Sequence, residues 1–281
     1  MTRRWQTMSR VVLDLETTGT DVETARIWEI GLRFRGGPAD GQTRTTLVNP
    51  GCPIPADVVE LCQLTSDDLE AIAQAESFGA LANKLSGYLH GRLLIGHGLT
   101  SFDLPILVRA FTEAGLVAED WTTPAEGPAI DTLVWARHLL PELRSRKLLA
   151  VAQHLIDAET ATRLGLVSAG EHRTRADVRL CDAVLEALTP RLPEDLDELL
   201  ARQTELAAAQ AADFDRYSYW LATSADGALR LACGKHAGTA LDQVDPGYLS
   251  YVLKTQASWK DGPLPAAVDE AFRAALARSA T

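Results

Sequence analysis

The chain has 281 residues, is 46% hydrophobic and 23% charged, and carries a formal net charge of −11. That length buries a substantial core without disulfides or structural metals and suits one large or two modest domains. No run of about 18 apolar residues occurs, which excludes a helical membrane span. The acidic balance argues against a passive nucleic-acid binder held by a broad basic face. An enzyme that holds divalent cations among carboxylates escapes that argument, because bound cations reverse the local sign where a phosphate would sit.

Met1 to Arg10 has charge but no apolar segment, so no secretory signal is expected and the cytoplasm is the default. Arg10 to Leu15 (RVVLDL) reads as a strand ending in carboxylates. Ile27 to Arg35 alternates as a second strand, GGPADG (Gly36 to Gly41) is a turn, and Arg44 to Val48 is a third short strand. Together they predict an antiparallel meander. Thr65-Ser66-Asp67-Asp68 offers N-cap residues for a short helix. Phe78, Leu81, Leu85 and Leu89 recur at helical spacing, and Leu93-Leu94-Ile95 is a buried strand before Gly96-His97. Pro105 to Ala114, Thr132 to Leu140, Lys147 to Ile156 and Arg175 to Leu188 read as helices, with Ala129-Ile130 a short strand. Three strands followed by strand–helix alternation predict an α/β fold, a mixed sheet flanked by helices. Leu192 to Ala212 shifts to Glu, Leu, Gln and Ala, a solvent-facing helical connector. Beyond Phe214 aromatic residues and glycine return, which suggests a separate small domain.

Three short segments carry chemistry. In Asp14-Leu15-Glu16-Thr17-Thr18-Gly19, side chains two apart on a strand share a face, so Asp14 and Glu16 point into one cleft. Two carboxylates crowded there repel unless a hard cation lies between them. Asp103, which follows Phe102 and precedes an apolar helix, reads by itself as a helix-terminal acid. His172-Arg173-Thr174-Arg175-Ala176-Asp177 places a histidine on a loop and an acid in the first turn of the next helix. Read singly, that histidine is a surface residue. In this order, on these elements, the three segments are far more specific than any one of them.

These residues resemble the DEDDh exonucleases, the RNase T and DnaQ-like group. Asp14 and Glu16 match the first motif of that group, Asp103 the second, and His172 with Asp177 the third. The resemblance runs from about Arg10 to Leu188 and takes in Ile130-Asp131-Thr132-Leu133 and Lys147-Leu148-Leu149. Four residues between His172 and Asp177 favour the histidine branch over the tyrosine branch. One departure stands out: many members carry His-Asn before the second acid, whereas this chain has His97-Gly98.

The resemblance implies an RNase H-like sheet and two Mg²⁺ or Mn²⁺ ions about 4 Å apart, held by Asp14, Glu16, Asp103 and Asp177. It implies 3′→5′ exonuclease activity, with His172 as general base and a nucleoside 5′-monophosphate as product. Thr17, Thr20, His97 and Phe102 would then meet the terminal nucleotide, and Arg173 and Arg175 either approach phosphates or stay solvated. Single-stranded DNA with a free 3′ end is the favoured partner and RNA the alternative. A catalytically dead nucleic-acid-binding scaffold is the reading from another class, and retention of all four acids and the histidine speaks against it. A homodimer stays open.

In the C-terminal segment, Cys233-Gly234-Lys235-His236-Ala237-Gly238 fails the phosphate-loop pattern, since His236 stands where Ser or Thr is needed. Gly234-Lys235-His236-x-Gly238, Asp245-Pro246-x-Tyr248-Leu249 and Tyr251-Val252-Leu253 instead resemble the small domain of exonuclease X-like proteins. The expected organisation is therefore an exonuclease domain over 1–190, a helical linker over 191–212 and an accessory domain over 213–281. Tyr248, Leu249 and Tyr251 form either a mini-core or a base-stacking surface. Cys52, Cys62, Cys181 and Cys233 form no CxxC pair and read as buried or incidental thiols of a reducing compartment.

Overall fold

A computed structural model describes residues 3–117, 129–143, 145–163, 174–224, 227–256 and 264–279. The meander expected at the start is present as β1 (Arg10–Thr17), β2 (Ile27–Arg35) and β3 (Thr43–Leu47). Strands β4 (Leu93–Gly96) and β5 (Ala129–Asp131) complete a five-stranded sheet of order β3-β2-β1-β4-β5. The first three strands pair antiparallel, and β1-β4 and β4-β5 pair parallel. This is the mixed sheet read from the sequence. Strand β1 is central, which is why Val11, Val12 and Leu13 are all buried instead of alternating with exposed residues.

Helices cover the sheet. Helix α1 (Ala56–Leu61) was not anticipated; it has only six residues, too few for an apolar period to stand out. Helix α2 (Ser66–Gln74) begins at the expected cap, where Thr65 and Asp68 form a reciprocal capping box. Helices α3 (Phe78–Leu89) and α4 (Asp103–Glu113) place Leu81, Leu85, Ile106, Leu107 and Phe111 in one core with Val11, Leu13 and Leu15 of β1. Because side chains alternate along a strand, Val12, Asp14 and Glu16 lie on the opposite face. Helices α5 (Thr132–Leu139), α6 (Leu148–Leu155), α7 (Ala158–Arg163) and α8 (Thr174–Leu188) follow. Helix α8 carries an apolar stripe of Val178, Cys181, Leu185 and Leu188 and packs across β2 and β1.

The approach of α8 to the sheet depends on one residue. Gly31 of β2 pairs with Asp14 of β1, and a Cβ built there would lie 2.5 Å from the Cβ of Thr174 and 2.9 Å from its backbone carbon. Only a glycine leaves room for the first turn of α8 at that point. A buried ion-pair group then ties the middle of the helix to β2: Asp182 accepts from Arg33 at 2.5 Å and from Arg35 at 2.8 Å.

The connector and the start of the following segment form one helix, α9 (Leu196–Trp220), with no Gly or Pro to interrupt it. The chain divides into two compact units, 1–206 and 207–281. In the first, Trp5 is fully buried and its indole N–H donates to the carbonyl of Pro193 at 2.8 Å. The second holds a hairpin, β6 (Leu221–Thr223) and β7 (Leu229–Leu231), with helices α10 (Pro246–Thr255) and α11 (Ala266–Ser279). Its core is Leu221, Leu231, Leu241, Leu249, Val252, Val268 and Phe272. Among the described residues, no helix is long and apolar enough to cross a membrane.

Gly31→Ala should lower the stability of the chain by about 1–3 kcal/mol, the usual result of forcing a methyl into a filled contact. Gly79→Ala is the control, since nothing lies within 4 Å of its Cβ position on α3. Urea midpoints compare the two; an unchanged midpoint for Gly31→Ala would refute the close-contact account.

Candidate active site

The end of β1 meets the first turn of α8. Strand β1 runs two residues beyond the expected end, to Thr17, so Asp14 and Glu16 are both held in register with β2, opposite Gly31 and Glu29. Asp177 stands one turn into α8, directly after the Gly31–Thr174 contact. One carboxylate oxygen each from Asp14, Glu16 and Asp177 lies within 4.8 Å of the others. An all-oxygen, triply acidic donor set at that separation suits a hard divalent cation such as Mg²⁺ or Mn²⁺.

Asp103 is the first residue of α4, buried, and its Oδ1 accepts the backbone N–H of Leu15 at 3.0 Å. That bond fastens the start of α4 to β1 between the two strand acids. Asp103 lies outside the three-carboxylate group, yet it contributes the largest charge effect on Asp14.

The loop leading to Asp103 is held by Asp131, at the end of β5. Its Oδ1 accepts from the N–H groups of Gly98 at 2.8 Å and Leu133 at 3.0 Å. Its Oδ2 accepts from the N–H of Thr100 at 2.9 Å and the Thr100 hydroxyl at 2.7 Å. One carboxylate therefore caps α5 and clamps the 98–100 turn. Gln203 of α9 braces β5 behind it, accepting from Asp131 N–H and donating to the Ala129 carbonyl, each at 2.8 Å. Gly98 has φ of +85°, a left-handed conformation that glycine and asparagine adopt most readily. This accounts for the alternation between the two residue types at that position. The side chain is dispensable to the turn.

The other residues expected to meet a nucleotide divide. His97 has both ring nitrogens engaged, Nδ1 with the Thr132 hydroxyl at 2.9 Å and Nε2 with the Arg146 carbonyl at 2.7 Å. Burial holds its pKa below the ordinary value. Those contacts give it a structural duty joining the loop to the segment before α6. Thr17 is buried; its hydroxyl donates to the Gly19 carbonyl, and its own carbonyl accepts from the indole of Trp28. Thr20 is exposed, and Phe102 is half-buried against the α3–α4 core. His172 and Arg173 lie outside the described residues, while Arg175 is exposed on α8.

Crowding dominates the electrostatics. Burial first, then the charges of Asp103, Asp177, Glu16 and Glu29, push the Asp14 carboxyl well above the usual carboxylate range. Glu16 is raised to about 7 by burial and the charges of Asp177 and Glu29, against a small opposing hydrogen bond from Cys62. Asp103 is also raised to about 7, by burial, with the Leu15 N–H pulling the other way. Burial and neighbouring carboxylates are what disfavour ionisation of all these acids together.

Two residues escaped the sequence reading. Cys62, taken as incidental, follows α1 and places its Sγ 3.7 Å from Glu16 Oε2. Nothing in its neighbours marks it, because the contact spans 46 residues. Gln203 looked like one more polar residue of a solvent-facing helix, but it is buried.

Comparison with known proteins adds independent findings. A model of the RNase T exonuclease family matches residues 11–185. The chain is 25% identical over 188 residues to a PolC-type DNA polymerase III of Clostridium perfringens, covering 66% of this chain and 12% of that protein. It is 32% identical over 171 residues to the PolC-type enzyme of Thermotoga maritima, covering 60% and 11%. The chain thus spans only about an eighth of the length of these relatives. E. coli exonuclease I in complex with a dA16 oligonucleotide shares the fold at a TM-score of 0.53 and 17% identity, over 68% of this chain and 42% of that one. Its complex with a dT13 oligonucleotide aligns at 0.52 and 14% identity, over 92% and 62%.

Two outcomes follow from the geometry. Asp14, Glu16 and Asp103 hold protons more tightly in the folded than in the unfolded chain, so metal-free folding takes up protons between about pH 4 and about pH 7. In EDTA the contribution of these groups to stability falls as pH rises through that window. Mg²⁺ or Mn²⁺ should therefore raise Tm more near pH 8 than near pH 5; equal shifts would place the bound metal elsewhere. Separately, Asp131→Asn turns an NH₂ towards buried N–H donors and should lower stability by about 1–3 kcal/mol. It should also weaken the metal-induced Tm shift by loosening the loop that carries Asp103, whereas wild-type metal titration would show the clamp to be dispensable.

Proposed function

The chain belongs to the RNase T exonuclease family, and from that premise we propose that it hydrolyses nucleic acid from the 3′ end, with DNA as the preferred substrate. The observation that carries this reading is the meeting of Asp14 and Glu16 from β1 with Asp177 from α8 within 4.8 Å. A solvated acidic patch on a surface does not push its own carboxyl groups towards neutral pH, and these groups are so pushed. Similarity to PolC-type DNA polymerases, and to a fold crystallised with deoxyoligonucleotides, supports DNA over RNA.

In this reading Asp14, Glu16 and Asp177 hold divalent cations, with Asp103 completing the set from the start of α4. Bound there, the cations supply an acidified water and a counter-charge for the leaving 3′-oxygen. The residues of the chain do the rest. Glu16 and Asp14 are fixed by the β1–β2 ladder, so neither needs to reorganise when a phosphate arrives. His172 would take the proton of the attacking water. As the water oxygen bonds to phosphorus the P–O3′ bond breaks, the 3′-oxygen takes a proton from solvent and becomes the new 3′-hydroxyl of the chain, and a nucleoside 5′-monophosphate is released. Phe102 and Thr20 border the terminal nucleotide.

Purified protein with Mg²⁺ and a 5′-labelled single-stranded deoxyoligonucleotide should give a ladder that shortens from the 3′ end. A matched ribo-oligonucleotide should be degraded more slowly; the reverse order would make the enzyme an exoribonuclease. Asp14→Ala should reduce the rate to background. His172→Ala should reduce kcat by roughly 10²–10⁴-fold, the usual worth of a positioned base. Wild-type rates in Asp14→Ala would overturn the carboxylate assignment.

A further inference from the structure

Outside the carboxylate site, the feature with the clearest chemical character is an aromatic surface on the second unit. Among the described residues, the exposed large hydrophobics of that unit are both tyrosines, Tyr219 at 64% and Tyr251 at 65% exposure.

Each of the two neighbours Tyr248. Tyr219 hydrogen-bonds Cys233, and burial, Cys233 and then Tyr219 raise the pKa of the Tyr248 phenol. Tyr248 and Tyr251 are three residues apart on α10 and so share a helix face, while Leu249 and Val252 turn into the core. The turn before α10 closes over Tyr248: the Lys235 ammonium sits 5.5 Å above its ring and the His236 ring 4.7 Å from it. Gly234 makes that closure possible. It has φ of +75°, and a Cβ there would lie 2.7 Å from the Tyr248 hydroxyl. Tyr219 is steadied from below, edge-on to Trp220 at 5.6 Å, and Trp220 in turn packs edge-on against the buried Phe272.

Rigid aromatic rings that are open on one face and bordered by cations make a stacking platform for unpaired bases, with lysine for the backbone. Charge is permissive here. Residues 207–281 contain seven Lys or Arg against eight Asp or Glu, so nearly all of the −11 of the chain resides in the first unit. The exposed Lys254, three residues beyond Tyr251, adds a second cation near α10. The described residues of this surface present flat polar-tipped rings.

We propose that Tyr219, Tyr251 and the Lys235–Tyr248 pair form a single-strand nucleic-acid binding surface, separate from the hydrolytic residues, that stacks unpaired bases. It concerns the polymer on which the proposed hydrolysis acts but does not rest on that chemistry. The test uses the full chain in EDTA, with no cleavage, and fluorescence anisotropy on labelled oligothymidylate and oligouridylate. The variants are Tyr219→Ala with Tyr251→Ala, and Tyr219→Phe with Tyr251→Phe. The alanine pair should weaken binding by roughly 5- to 150-fold for each stacked base lost, and the phenylalanine pair should bind within about twofold of wild type. Comparing the two oligonucleotides tells whether the surface distinguishes DNA from RNA.

In parallel, hydrolysis of the p-nitrophenyl ester of thymidine 5′-monophosphate with Mg²⁺ reports the carboxylate site without a polymer. Both variants should match wild type in that assay. Unchanged oligonucleotide affinity in the alanine pair, equal loss in both pairs, or no binding by wild type overturns the platform. Failure of wild type to cleave the ester counts against the hydrolytic reading and leaves the platform standing.

Discussion

The contact between α8 and β2 at Gly31 governs the arrangement of the first unit. Thr174 rests where a side chain on β2 would otherwise stand, and three residues later Asp177 reaches the acids of β1. The result is unfavourable by itself. Several carboxylates share a poorly solvated end of the sheet, and the pKa values of Asp14 and Glu16 rise because burial, and then mutual repulsion, disfavour the charged forms. The fold sustains this because the approach is fixed elsewhere: an apolar helix face on the sheet, and Asp182 bound between Arg33 and Arg35. Stability generated along the length of α8 holds strain at its first turn. Such a site is poised for cations, since each one bound relieves a repulsion built into the backbone.

A second layer of polar contacts positions Asp103. Its loop contains no helix or strand of its own, so order has to be imposed by partners. Asp131 supplies it with three of its four acceptor contacts, the fourth capping α5, and Gln203 holds Asp131 in place from a helix more than 70 residues later. His97 closes the same loop from the other side through Thr132 and Arg146. The polar atoms of His97 and Asp131 are thus engaged in holding the loop that leads to Asp103.

The second unit follows another logic. Its core is small, and its hairpin strands have three residues each, so much of its surface is made by turns and by the outer face of α10. The segment GKHAG and Tyr248 are one construction: glycine permits the turn, lysine and histidine cover the ring, and Asp245 caps the helix that carries it. Of Tyr248, Leu249 and Tyr251, the mini-core reading holds for Leu249. Leu249 is core, Tyr251 is surface, and Tyr248 lies between them.

The sequence by itself determined the order and type of the main elements and the identity of the acids. Period-two and period-3.6 patterns report burial directly, and Asp14 with Glu16 needs only local strand geometry to share a face. It did not reveal α1 or α7, each of six residues, because so short a helix has no period to read. The tertiary structure alone decided which residues became partners. Cys62 against Glu16, Gln203 against Asp131 and Thr174 against Gly31 are pairings across 46, 72 and 143 residues. No local pattern encodes such contacts, since they arise when elements pack. The same holds for His97: what stands opposite each ring nitrogen, the Thr132 hydroxyl and the Arg146 carbonyl, is a property of the folded chain.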